Sequence, residues 1–144
     1  MISRRLLHFI FLWLCLSLKL EAEDAPLWQG HVWLLDGISV LPESAALKAQ
    51  VARTHPVGRL FLECRADGLF ALLRGDETQH QGKWSLSGVV LTLQRHDEKG
   101  AAMEQPLTYR IVEAAAERLV LSVVLPEGMP AVRLEFSPSQ WPRR

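Results

Sequence analysis

The side chains able to do metal or nucleophilic chemistry are few and scattered. Beyond the first thirty residues they are four histidines, His31, His55, His80 and His96, and one cysteine, Cys64. No two histidines stand in an HxH or HxxxH spacing and no CxxC occurs, so a metal site would have to be assembled entirely by the fold. His80 and His96 flank the Trp84–Leu93 segment and can approach each other if it folds back as a hairpin. Asp76-Glu77 and Asp97-Glu98 are paired carboxylates. General acid–base work needs one desolvated acid beside one solvated one, and both pairs fall where loops are expected, so they read as charged turns. There is no GxSxG elbow, P-loop or dinucleotide fingerprint. The residues therefore assign no catalytic, cofactor-binding or metal position, and the expectation is a non-enzymatic domain.

Cys64 sits in Leu60-Phe61-Leu62-Glu63-Cys64, on the same alternating face as Leu60 and Leu62, and reads as a small buried core thiol. The alternative is a redox or intermolecular thiol, for which no activating neighbour is evident. Of the tryptophans, Trp84 shares its alternation with Leu86 and reads as core. Trp28 and Trp141 lie outside the clear strands and are expected over the open ends of a barrel or at an interface.

The elements that would position these residues are strands. Apolar residues recur mostly with period two: His31–Leu35; Leu47, Ala49, Val51; Leu60, Leu62, Cys64; the short run Leu69–Arg74; Trp84, Leu86; Val89, Leu91, Leu93; Leu107, Tyr109, Ile111; Leu119, Leu121, Val123, Leu125; and Val132, Leu134, Phe136. Asp36-Gly37, Asp67-Gly68, Gly75-Asp76, Ser87-Gly88, Lys99-Gly100 and Glu127-Gly128 fall between them as turn signals. The pattern predicts an all-β, single antiparallel β-barrel or sandwich of eight to nine strands, since closure or stacking buries one face and hides the edges. Pro42–Ala49 and Glu113–Arg118 are the two candidate short helices, the second equally a bend between strands. Ser137–Arg144 is expected to fray.

Met1–Ala22 reads as a cleaved secretory signal: Arg4 and Arg5, then the apolar Leu6–Leu18. As a helix that run spans roughly 20 Å, short of a bilayer core of ~30 Å. Leu12-Trp13-Leu14 ahead of Cys15 are not the small residues that lipid attachment requires. The segment holds three basic residues and one acidic residue. The remaining domain, 23–144, thus carries 13 basic against 15 acidic residues, from 16 and 16 in the whole chain. That balance offers no basic stripe for nucleic acid. The 49% hydrophobic and 22% charged composition is that of a folded chain, and a periplasmic location follows from export.

Two stretches resemble known families. Gly30-His31-Val32-Trp33 followed by Ile38-Ser39-Val40-Leu41-Pro42 and the Ala-rich Glu43–Val51 resembles the start of the YbaY/YscW group of small exported β-domains, which includes the pilotins of type III secretion. The resemblance implies a non-catalytic envelope protein that binds a protein partner, a secretin-like subunit, and guides it to the outer membrane, with peripheral membrane association. Asp67-Gly68-Leu69-Phe70 followed by Gly82-Lys83-Trp84-Ser85-Leu86-Ser87-Gly88 and Val89–Leu93 is similar to lipocalin-like and META-type β-domains. It implies the alternative role, a barrel holding a small apolar ligand or acting as an inhibitor through its loops.

Overall fold

A computed structural model of the protein describes residues 28–75, 78–97, 99–102 and 105–142. The expected signal Met1–Ala22 and Cys15 lie outside the described residues, as do Asp76, Glu77 and Glu98. Eight strands follow in chain order: β1 Val32–Leu41, β2 Leu60–Cys64, β3 Leu69–Arg74, β4 Thr78–Ser87, β5 Val90–His96, β6 Leu107–Ala114, β7 Leu119–Val123 and β8 Ala131–Ser139. One helix, α1, Ala45–Thr54, lies between β1 and β2. Every strand pairs antiparallel with its sequence neighbours, and β1 pairs with β8, so the sheet is a closed barrel. The all-β expectation holds, and it resolves to the barrel.

Alternation sets the interior. Leu60, Leu62 and Cys64 of β2, Phe70 and Leu72 of β3, Leu91 and Leu93 of β5, Leu119 and Leu121 of β7, and Val132, Leu134 and Phe136 of β8 form one buried apolar cluster. Trp33 and Leu35 join from β1, and Ile38 and Val40 continue it after a step of three. That step is a β-bulge: the β1–β8 register shifts between Leu35 and Gly37. Asp36-Gly37 is therefore a bulge inside one strand and not the turn expected between two. A Cβ on Gly37 would stand 3.0 Å from Glu135 Oε2, the end of a flexible side chain that can turn aside, with no backbone atom of the neighbouring strand closer than 3.9 Å.

The short helix expected at Pro42–Ala49 forms as α1, Ala45–Thr54, and Leu47–Val51 belongs to it, not to a strand. Ser44 caps it, its hydroxyl accepting from Leu47 N at 3.2 Å. Leu47 and Val51, four residues apart, share the face packed on the barrel cluster. Alanines at 45, 46 and 49 suit either periodicity, which is why alternation was visible there. Glu113–Arg118 is not a helix: Glu113 and Ala114 end β6, and Ala115 N donates to Arg118 O at 2.8 Å across a turn. The expected fray at Ser137–Arg144 is also corrected, because β8 runs to Ser139 and Ser137 pairs with Leu34.

The two halves of the D-G-x-F and G-x-W pattern interlock. Phe70 pairs with Gly82 across β3 and β4, and Trp84 N donates to Gly68 O at 2.9 Å. A Cβ at Gly82 would collide with the Gln94 backbone carbonyl and reach 2.9 Å from the Phe70 ring. Since backbone cannot give way cheaply, Gly82→Ala is expected to destabilise the fold by about 2–3 kcal/mol. Urea unfolding checks this, and an unchanged midpoint would show that β4 is not pinned at this point.

Candidate functional site

An antiparallel meander sends alternate connections to opposite ends of a barrel. At one end lie the segment before β1, the turns β2–β3, β4–β5 and β6–β7, and the residues after β8. At the other lie α1 and the connections β3–β4, β5–β6 and β7–β8.

The first end is sealed. Trp28 is 2% exposed, its ring centroid 5.3 Å from that of Trp84. Trp33 Nε1 donates to Trp28 O at 2.8 Å, and Trp84 Nε1 donates to Arg65 O at 2.7 Å. Gly30 N donates to Cys64 O at 2.8 Å. Trp28 thus covers an open end as expected, and Trp84 packs against the core half-buried. Trp141 does not. It lies on the outer wall, its ring 6.2 Å from Phe61 and its Nε1 donating to Glu63 Oε2 at 2.7 Å. The reason is parity: Phe61 and Glu63 are the outward residues of β2, and β8 delivers Trp141 beside them.

The helix-side end is built differently. His55 closes α1, its N–H donating to Val51 O. Its Nε2 lies 2.9 Å from Tyr109 Oη and its Nδ1 2.8 Å from Thr54 Oγ1. Thr54 Oγ1 donates its one proton to Val51 O, so it accepts from His55 Nδ1–H. The neutral imidazole then offers Nε2 as acceptor to the Tyr109 hydroxyl. Burial pushes His55 below its ordinary value; the Val51 carbonyl opposes this and the Arg74 charge adds to it. Burial raises Tyr109 to about 12, against the pull of Arg74 and Arg95, so it remains a donor. A cleft of about 400 Å³ opens on this pair, lined by His55, Leu107, Tyr109, Val123 and Val124 among others.

Three further inward positions reach the same end. Arg74 continues the Phe70–Leu72 stripe of β3, Arg95 continues Leu91–Leu93 of β5, and His80 precedes Gly82 and Trp84 on β4 between them. Nε of Arg74 and Nε of Arg95 are each buried without a hydrogen-bond partner. A buried donor left unmet costs about 1–3 kcal/mol, more when charged. Burial lowers the pKa of His80, and the Arg95 and Arg74 charges lower it further.

His80 and His96 do not meet. His80 is on the inward stripe of β4, while His96 pairs with outward Gln81 and lines a groove on the outer wall with Asp97. Asp97 is a turn residue, its carboxylate accepting from Lys99 N and Ala101 N, each at 2.9 Å. Among the described residues no three His, Cys, Asp or Glu gather as a metal cluster. Sequence reasoning missed Arg74, Arg95 and Tyr109. The available signal was parity: Arg74 and Arg95 each extend an apolar stripe by one inward step, and Tyr109 stands inside the Leu107–Ile111 stripe as its one hydroxyl.

Cys64 is fully buried, and burial, with the Glu63 charge, raises its thiol well above the ordinary range. The native protein should resist a maleimide that labels it promptly in urea, and equal rates in both conditions would contradict that burial. For His55 the folded value lies below the unfolded one, so its contribution to stability is full above about pH 6.5 and is lost as pH falls through the folded value. Urea unfolding should show stability declining from pH 7 to pH 5, and His55→Gln should make that slope shallower. An identical slope in the variant would show that His55 does not drive it. No protein-family model matches the chain, and no curated protein matches it.

Proposed function

We propose that this chain is an exported, non-catalytic β-domain that binds a protein partner in the cell envelope through its helix-side end. One observation carries the reading: the two ends of the barrel are unlike. One is closed by Trp28, Trp84 and hydrogen-bonded turns. The other gathers the cleft and unsatisfied guanidinium donors. Closure also shapes the mode of binding. With β1 and β8 paired, the sheet has no free end strand for a partner to extend, and the one flank of β1 that β2 leaves unpaired, Ile38–Leu41, lies beside α1. Contact falls instead to loops held on a rigid wall. A secretin-like subunit guided to the outer membrane, the partner implied by the pilotin resemblance of Gly30–Val51, is the occupant this reading favours.

The cleft favours a second reading, a lipocalin-like role for a small apolar molecule. Its volume falls within the range of ligand sites, and Leu107, Val123 and Val124 supply apolar wall beside the Tyr109 hydroxyl. The barrel axis itself is occupied by Trp33, Phe70, Leu91 and Leu134, so such a ligand would sit in the mouth.

Val124 and Val89 separate the ends in one experiment, because they stand at opposite ends with matched exposure, 53% and 52%. With a photo-crosslinking residue at each position and expression at native level, Val124 should yield a discrete adduct with an envelope protein and Val89 should not. An adduct from Val89 alone, or from neither, would end the helix-side reading.

A further inference from the structure

We propose that Arg74 and Arg95, with His80 between them, form a binding site for an oxyanion bearing equivalent oxygens, a carboxylate or a phosphate group. The proposal deepens the reading of the helix-side end as the binding end and rests on it. The three residues lie on adjacent strands at inward positions. Arg74 ends β3, His80 is the third residue of β4, and Arg95 is the penultimate residue of β5. Gly82, the register partner of Arg95, contributes no side chain between the stripes.

The donors are already in place and unmet. Nε of both arginines is shielded from solvent and without an acceptor. Neither arginine joins any of the ion pairs of the described residues, which are Arg65–Glu63, Arg118–Glu113 and Arg118–Glu135. Among the described residues the titratable groups that feel these charges include His55 and Tyr109, which are engaged with each other, and the Arg59 guanidinium lies beside Gly75. A guanidinium presents its N–H groups in a planar fork that fits a two-oxygen acceptor, and two such forks favour an anion over a neutral carbonyl. Burial and both arginine charges hold His80 neutral, with one ring N–H left to donate. The Leu72 and Leu93 level beneath is packed, so an anion would approach from the mouth. The ligand is therefore a headgroup or small molecule, not a chain threaded along the barrel axis.

The test is an NMR titration of the full folded domain with inorganic phosphate and, separately, with acetate, at ionic strength held constant by chloride. Saturable shifts of the Arg74 and Arg95 Nε–H and the His80 ring are expected for at least one probe. Which probe saturates at lower concentration tells a phosphate source from a carboxylate source. Arg74→Lys and Arg95→Lys keep the charge and lose the fork, and each should weaken binding about tenfold or more, one charge-assisted hydrogen bond's worth. Arg118→Gln, at an exposed ion pair on the outer wall, should leave it unchanged. A melting-temperature rise on adding the same probe gives a second readout, smaller in the two Lys variants at the same probe concentration. Shifts that never saturate, or that persist unchanged in both Lys variants, would overturn the site. Partner crosslinking from Val124 that survives Arg74→Lys/Arg95→Lys, with no saturable anion shifts, would overturn it while leaving the binding end intact. Saturable shifts without any Val124 adduct would keep the site and remove the protein partner.

Discussion

The pairing of β1 with β8 is the constraint on which everything else depends. A sheet of eight strands, five to ten residues each, leaves two rows of unpaired N–H and C=O groups and an uncovered apolar face unless its first and last strands meet. They meet along nine register pairs, from Val32↔Ser139 to Leu41↔Ala131. Strand tilt in a closed barrel requires β1 to bend while it pairs, and the bulge at Asp36-Gly37 provides the bend. The first half of β1 is shared by β2 and β8, the second half by β8 alone. At the helix-side end this leaves Ile38 and Val40 without a covering strand on one flank. α1, through Leu47 and Val51, packs on the cluster they belong to. The helix is thus a consequence of closure, and His55 is at the helix end because β2 must begin beside the middle of β1.

The strands and the inward stripes were legible because a one-sided sheet writes its burial into alternate positions. What failed were the places where that rule is locally suspended. At Asp36-Gly37 the apolar parity jumps from Trp33 and Leu35 to Ile38 and Val40. Two strands separated by a turn give the same jump as one bulged strand. At Leu47–Val51, alanines hid the difference between period two and a four-residue spacing, though Ser44 ahead of the run was a capping residue in view. Trp141 defeated the reading because a residue beyond a strand has no parity of its own. Its place is set by Phe61 and Glu63, some eighty positions earlier in the chain.

The candidate site was less legible than the fold, and the reason is physical. Arginine at the end of an apolar stripe looks like the last, solvated residue of a strand. Only closure reveals that the stripe points into a barrel. Closure also brings β3, β4 and β5 into a curved wall, so that stripes separate in sequence converge at one mouth. Tyr109 shows the same effect from the opposite side, reaching His55 over a sequence separation of 54.

The interior then divides into a part that stabilises and a part that does not. Every residue of the buried cluster is apolar apart from the Tyr109 hydroxyl and the Trp28 and Trp33 indoles. Trp33 Nε1 and Tyr109 Oη have partners. Against that order, the two arginine Nε atoms stand out as donors that folding has removed from water without replacing it. Leucine or methionine at either position would extend the apolar stripe at no such cost. A long side chain at a barrel rim can lay its stem along the wall and send its head to solvent, yet here the Nε atoms remain under cover. Local rules broken at one place in an otherwise consistent structure mark where a sequence answers to something besides its own stability. In this barrel that place is the mouth next to α1, where an acceptor brought from outside would satisfy what the chain leaves open.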